Sequence, residues 1–258
     1  MRWAVAGAGL GAVAALVAFA PAAWLAGAVS SATDERLLLA DARGTLWQGS
    51  AVMVLTGGAG SRDASALPGR LQWNLSLDGA ALALRARQAC CINGELRLRV
   101  RPGFGRWRVE LPASPGVIGQ WPASWLVGLG TPWNTLQPSG SLLLSSPGLA
   151  LEQAQGRWAI SGQAELELGA IASRVSTLAV LGSYRLVLSG DAARGDTASL
   201  QLSTSSGALQ LSGLGQWAGG KLHFRGQASA AAGSEAALGN LLNIIGRRQG
   251  ALSVISIG

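Results

Sequence analysis

Chemistry in this chain has few residues to draw on. Its 258 residues include one histidine, His223, and two cysteines, Cys90 and Cys91, side by side. A serine–histidine–carboxylate site would have to use His223. That residue lies in Lys221-Leu222-His223-Phe224-Arg225, where polar and apolar positions alternate. Such alternation puts His223 on the wet face of a strand between two cations, the setting of an ordinary exposed histidine. Glu165 and Glu167 are two apart in Gln163-Ala164-Glu165-Leu166-Glu167-Leu168 and share a strand face. Two carboxylates alone are a thin basis for acid–base catalysis. No P-loop and no Gly-x-Ser-x-Gly elbow stands between a strand and a helix, and Gly7-Ala8-Gly9-Leu10-Gly11 follows no strand. The residues point to no catalytic site, no cofactor and no metal, and the chain reads as a non-enzyme.

Cys90 and Cys91 cannot staple distant segments as the cysteines of exported domains commonly do. Neighbouring alpha carbons lie about 3.8 Å apart across a trans peptide, below the usual disulfide separation of roughly 4.4–6.8 Å. Three states are open to the pair: a vicinal disulfide, two reduced thiols in the interior, or a bridge to another chain. With one histidine besides, a tetrahedral metal site cannot be completed.

The formal charge of +7 comes almost wholly from arginine. Arg85, Arg87, Arg97, Arg99, Arg101, Arg106 and Arg108 crowd into a short stretch in which Glu95 is the sole acid. A basic surface can hold nucleic acid or anionic lipid. These arginines alternate with apolar residues, however, as on a solvated strand face, and nucleic acid is not expected as a partner.

The elements that position these groups are written in strand language from about Leu37 onward. Glu95 to Arg101, Gln163 to Leu168, Ser199 to Ser203, Ala208 to Ser212 and Lys221 to Arg225 alternate with period two, and Gly, Pro, Ser or Asp clusters separate them. The spacing leaves no room for crossover helices, which predicts a mainly β fold: an antiparallel meander with one dry face. A degenerate Gly-Trp-Gly echo recurs in Gly44 to Ala51, Gly156 to Ala164 and Gly215 to Gly220, fitting hairpins anchored by a large ring. Prolines 112, 115, 122, 132 and 138 break the pattern, with a short central helix expected at Ser124 to Leu129. Ser234 to Arg248 predicts a C-terminal helix, with Ser234 as N-cap, Arg247 and Arg248 in the last turn, and a core stripe of Leu238, Leu241, Leu242 and Ile245. Leu252 to Ile257 predicts a final strand.

Residues 3–29 carry no charge. As one helix they would rise roughly 40 Å, enough for a hydrocarbon core of about 30 Å. Trp3 and Trp24 near the ends suit the interface, and Asp34 and Glu35 beyond agree with positive-inside orientation. The division expected is a cytoplasmic stub at 1–2, a transmembrane anchor at 3–29 and a periplasmic β-rich domain at 30–258, with two β halves joined near 112–139. A cleaved signal peptide is the competing reading: Ala26-Gly27-Ala28 has small residues at a peptidase spacing and Pro21 could break the helix before it. The run exceeds the usual hydrophobic region of a signal, and its basic lead is Arg2 alone, which favours the anchor. Gly7-x-x-x-Gly11 would also admit a second helix at close range.

The C-terminal run Leu238-Gly239-Asn240-Leu241-Leu242-Asn243-Ile244-Ile245-Gly246-Arg247-Arg248-Gln249-Gly250, closed by Ser253-Val254-Ile255-Ser256-Ile257-Gly258, resembles the N component of the type II (general) secretion pathway. Thr45 to Ala51, Leu67 to Trp73 and Leu181 to Leu186 add to the likeness, which with the N-terminal anchor spans nearly the whole chain. The resemblance implies a bitopic inner-membrane protein, N-terminus cytoplasmic, whose periplasmic domain works among other type II secretion components in exporting folded proteins across the outer membrane. It implies no enzyme activity and no active-site residues. A second function fits the same strands: a periplasmic lipid- or amphiphile-binding protein whose leucine-rich face curls into a trough. An apolar groove with nothing opposite would favour lipid, and a filled core would favour the scaffold.

Overall fold

The alternation beginning at Leu37 folds into one open antiparallel sheet of sixteen strands. The computed structural model describes residues 2–191, 197–218 and 221–258. Met1 of the expected stub and Gly219-Gly220 of the third Gly-Trp-Gly echo lie outside the described residues. In chain order the strands are β1 Leu37–Gly44, β2 Gln48–Thr56, β3 Ala64–Ala66, β4 Leu71–Asp78, β5 Ala81–Arg87, β6 Leu96–Gly103, β7 Arg106–Leu111 and β8 Val117–Pro122. Then come β9 Pro138–Ala154, β10 Arg157–Ser173, β11 Gly182–Gly190, β12 Thr197–Gly207, β13 Leu209–Ala218, β14 Lys221–Ala230, β15 Arg247–Gln249 and β16 Leu252–Ile257. Nearly every strand pairs with its sequence neighbour; β3 attaches beside β2, β8 beside β9, and β16 lies between β14 and β15. The meander follows from linkers too short for a crossover.

The long strand β9 is the seam. Its second half pairs with β7 and its first half with β8, while β10 runs along its other edge. At Ser146-Pro147-Gly148 the register slips, because Pro147 has no N–H to give the ladder. Buried Ser146 stitches the irregularity: its Oγ donates to the Gln163 carbonyl at 2.5 Å and accepts from the Gly148 N–H at 3.1 Å.

Register sorts side chains into two faces. One carries continuous apolar rows, such as Leu82, Val100, Val109, Leu151 and Ile160 on β5, β6, β7, β9 and β10. Another joins Leu166, Leu186 and Leu202 to Gly213 and Gly226. On that face aromatic rings lie down over glycines. A Cβ on Gly213 would sit 2.4 Å from the Phe224 ring, and Trp73 covers Gly49 and Trp121 covers Gly119 in the same way. Each glycine leaves room for a ring over the sheet, which buries Trp73 and Phe224 and half-buries Trp121. The first two Gly-Trp-Gly echoes locate hairpins correctly, since Trp47 and Trp158 adjoin the β1–β2 and β9–β10 turns. Trp47, Trp158 and Trp217 are not buried, however; the indole in the core is that of Trp73, 5% exposed.

Helices cover the apolar face at its two ends. Helix α4, Glu235–Ile245, buries Leu238, Leu241 and Leu242 against Leu181, Tyr184, Leu209 and Ala228, as its stripe predicts. It stops earlier than expected: Gly246 is extended, and Arg247 and Arg248 pair with β16 as strand β15 rather than closing the helix. Ser234 is the N-cap residue, although its hydroxyl makes no capping bond. The central segment forms a 3-10 helix, Ala123–Leu129, and a single α-turn, α3, Trp133–Leu136. Between the covered ends, Leu82, Leu98, Val100, Val109, Leu186, Leu188 and Leu200 are only half-buried.

At the N-terminus the expected unbroken helix over 3–29 is two helices, α1 Arg2–Ala18 and α2 Ala22–Ala32. No described helix is long and apolar enough to cross a membrane. Pro21 ends the first helix, because its ring clashes with the preceding turn and it brings no N–H. The freed backbone turns to the sheet: Ala20 accepts from the Leu46 N–H at 2.7 Å, and the Trp47 indole donates to the Val17 carbonyl at 2.9 Å. Helix α2 then lays Ala22, Leu25, Ala26 and Val29 on Leu39, Ala51 and Trp73.

Unequal cover along one apolar face has a measurable consequence. Leu241→Ala should lower unfolding stability by about 2–5 kcal/mol, as for a buried leucine whose cavity cannot collapse. Leu98→Ala, at a half-buried site, should lower it by roughly 1 kcal/mol, scaling with the smaller area returned to water. Urea titrations followed by tryptophan fluorescence would compare them, and equal losses would mean that the middle of the sheet is packed as tightly as its end.

Candidate functional site

The other face of the sheet carries the charge, and its arginines share a smaller number of carboxylates. On β5 and β6 the arginines converge on Glu95, whose side chain is 14% exposed. Arg87 reaches it at 2.8 Å and Arg97 at 2.9 Å, with Arg85 at 4.0 Å. Further along, Arg101 and Arg108 share Glu110 at 3.2 and 2.9 Å, Arg108 also reaches Glu152 at 3.3 Å, and Arg99 meets Asp78 at 3.1 Å. Of the seven crowded arginines, Arg106 alone has no acid within ion-pair range among the described residues. Exposed pairs of this kind add little stability; Asp78, Glu95, Glu110 and Glu152 weaken, without removing, the local positive field of the seven arginines.

Sequence proximity had offered Glu95 alone; the register brings in Asp78 from β4, Glu110 from β7 and Glu152 from β9. The signal available was the alternation Arg106-Trp107-Arg108-Val109-Glu110, which puts Glu110 on the arginine face of the next strand. Arg99, Arg101, Arg106 and Arg108 line an open groove of about 640 Å³ together with Asp78 and Glu152. On the opposite face of the same hairpins Trp107 and Trp158 meet edge to face, with centroids 5.0 Å apart.

His223 is exposed, and the register row through it is Ser189, Ser199, Gln216 and His223, which holds no acid. A serine hydroxyl is therefore in its row, but no carboxylate is there to orient the imidazole. Glu165 and Glu167 do share a face; Glu165 is paired to Arg185 at 2.8 Å, and Glu167 stands opposite the same arginine across the ladder. Among the described residues no group of three or more His, Cys, Asp or Glu could hold a metal ion. Tyr184, 2% exposed, donates its hydroxyl to the Leu209 carbonyl at 3.1 Å, and burial pushes its phenol up from the usual range. It acts as a structural pin.

Cys90 and Cys91 form a vicinal disulfide in the link between β5 and β6. That loop is tied to β8: the Cys91 carbonyl accepts from the Gln120 N–H at 2.8 Å, and the Asn93 N–H donates to the Ile118 carbonyl at 2.9 Å. Arg247 and Arg248 on β15 are exposed, and no acid lies within ion-pair range of either among the described residues.

Two carboxylates are held below the ordinary range by arginine. The Arg97 hydrogen bond foremost, joined by that from Arg87, lowers Glu95 against the opposing effect of desolvation. Asp41, beside a bulge in β1, is lowered chiefly by Arg43 and then by Arg70. A carboxyl lowered in the folded state stabilises the fold above its unfolded pKa, 4.5 for Glu95, and loses that contribution as pH falls through the folded value. Glu95→Gln should thus flatten the stability–pH curve below pH 4.5 and leave its neutral-pH slope unchanged; an identical acid limb in both proteins would remove Glu95 from the linkage.

The molecule so described is an open β sheet with one ion-paired, net-basic face and one apolar face that helices cover at its two ends. No curated protein and no solved structure matches the chain. Residues 35–254, which include β1 to β15, α4 and the first half of β16, match the family described as type II secretion system (T2SS), protein N. The match covers most of the chain and runs through the C-terminal helix and strand that first suggested the likeness, so the chain belongs to the type II secretion system protein N family.

Proposed function

We propose that this protein is a non-enzymatic accessory component of the type II secretion machine, held in the inner membrane by α1 and working through its β domain on the periplasmic side. Family membership carries the secretion role. Three features of the chain support the finer placement. Helix α1 has no charge after Arg2, and Trp3, Leu16 and Val17 are exposed, with Phe19 just beyond its end, a surface that water does not suit. Its seventeen residues stand at the short limit of membrane-spanning helices, about 17–25. The vicinal disulfide fits an oxidising compartment. Contact with other secretion components is the expected mode of action, because the charged face pairs internally and offers protein partners a polar rim rather than a catalytic pocket.

A second reading, binding of a lipid or other amphiphile, draws support from the half-buried leucine rows between the two covered ends of the apolar face. One purification distinguishes the readings. The full-length protein extracted from native membranes in mild detergent should retain the unprocessed mass and carry secretion components with it. Stoichiometric phospholipid in their place would favour the amphiphile, and a mature species starting near Val29 would defeat the anchor.

The exposed pair on β15 gives a separate check on mode of action. Arg247→Ala with Arg248→Ala should shift stability by no more than about 0.5 kcal/mol, as at ordinary surface sites, and leave secretion at the wild-type level. Loss of secretion by a folded double variant would make β15 a docking edge for an acidic partner.

A further inference from the structure

We infer that α2 is an interfacial helix, its outer face lying in the headgroup layer of the bilayer so that β1 and β2 are seated against the membrane surface. The inference rests on the anchor reading of α1 and adds to it where the membrane stops. Helix α2 carries no charge and is apolar from Ala22 to Val29, with Ser30 and Ser31 in its last turn; a helix surface so apolar is normally covered in a soluble protein. Its inner face is covered by the sheet, through Ala22, Leu25, Ala26 and Val29. Its outer face, Ala23, Trp24, Gly27 and Ala28, with Ser31 at its far end, is exposed and carries no charge, and Trp24 is 56% exposed.

Length commits this face to lipid. The seventeen residues of α1 rise only about 25 Å, short of a hydrocarbon core of about 30 Å. A short span is accommodated by drawing its flanks into the interface. The flank here is the elbow Phe19-Ala20-Pro21 and α2, with Phe19 79% exposed and Trp24 a side chain that favours the headgroup region. The first charges after Arg2, Asp34, Glu35 and Arg36, appear only beyond the end of α2.

The elbow is fixed rather than hinged. Besides the Leu46-to-Ala20 and Trp47-to-Val17 hydrogen bonds, Pro21 bridges to Thr45 in the β1–β2 turn. Helix α1 cannot enter the bilayer without bringing this end of the sheet to its surface.

The test places a nitroxide on the full-length chain in bilayer discs of phosphatidylethanolamine and phosphatidylglycerol. The label is attached through an encoded keto side chain so that Cys90 and Cys91 are untouched. Ala28 on α2 is compared with Ala12 on α1 and with Phe104, an exposed hairpin tip. Collision with oxygen relative to a water-soluble nickel chelate should be several-fold higher at Ala28 than at Phe104, and lower than at Ala12. Ala28 as accessible to nickel as Phe104, with Ala12 still deep, overturns the inference and leaves the anchor intact. Ala28 shielded from both reagents also overturns it, in favour of a protein contact. An Ala12 label open to nickel would instead strike the anchor reading itself.

Discussion

One constraint orders this molecule: a sheet that does not close on itself cannot bury its own dry face. The hydrogen-bond ladder satisfies the backbone of sixteen strands pair by pair, but it does nothing for the leucines that alternation sends to one side. Barrels meet the difficulty by closing and sandwiches by stacking. Here the remedy is local. Helix α4 covers one end, α2 covers the other, aromatic rings such as Trp73 and Phe224 lie over glycines, and the leucine rows in between stay half-buried. Position on the sheet therefore decides what a leucine contributes, and two residues with the same alternation can differ severalfold in stability.

The polar face answers to the same ladder. Strands that follow one another in sequence bring like-charged arginines face to face, as Arg85 with Arg97 and Arg101 with Arg108. Side-by-side guanidinium groups would repel, and a carboxylate is set within reach of each pair: Glu95 for the first, Glu110 for the second. What reads in one dimension as a basic cluster is, in the folded chain, a lattice in which Glu95 and Glu110 are each shared between arginines. The carboxylates therefore lower, without abolishing, the affinity for polyanions that composition alone suggests.

Much of the fold was legible because period-two alternation is a local signal. Glu95 to Arg101 and Leu252 to Ile257 became β6 and β16 with little change at their ends, and the Leu238, Leu241, Leu242 and Ile245 stripe packed as its spacing required. Two features were not legible, each for a physical reason. Ala22, Leu25, Ala26 and Val29 have the spacing of a packed helical face, but the signal vanishes in a run where every neighbour is apolar too. The end of α4 was misplaced because Arg247 and Arg248 suit a helix terminus electrostatically, whereas the ladder to β16 offers their backbone hydrogen bonds that a frayed last turn would leave to water. The surface was less legible than the fold. The partners of the arginines come from β4, β7 and β9, and no spacing within a single strand announces them.

The cysteine pair has a consequence for how the chain is made. A disulfide between neighbours encloses almost no chain, so it withdraws little freedom from the unfolded ensemble and lends little to stability by that route. It also leaves nothing to mispair: with two cysteines, one intramolecular connectivity exists. A chain emerging into an oxidising compartment can therefore oxidise at any moment, before or after its strands assemble, without trapping a wrong topology. The sulfur chemistry of this protein is uncoupled from the order in which its long meander is laid down.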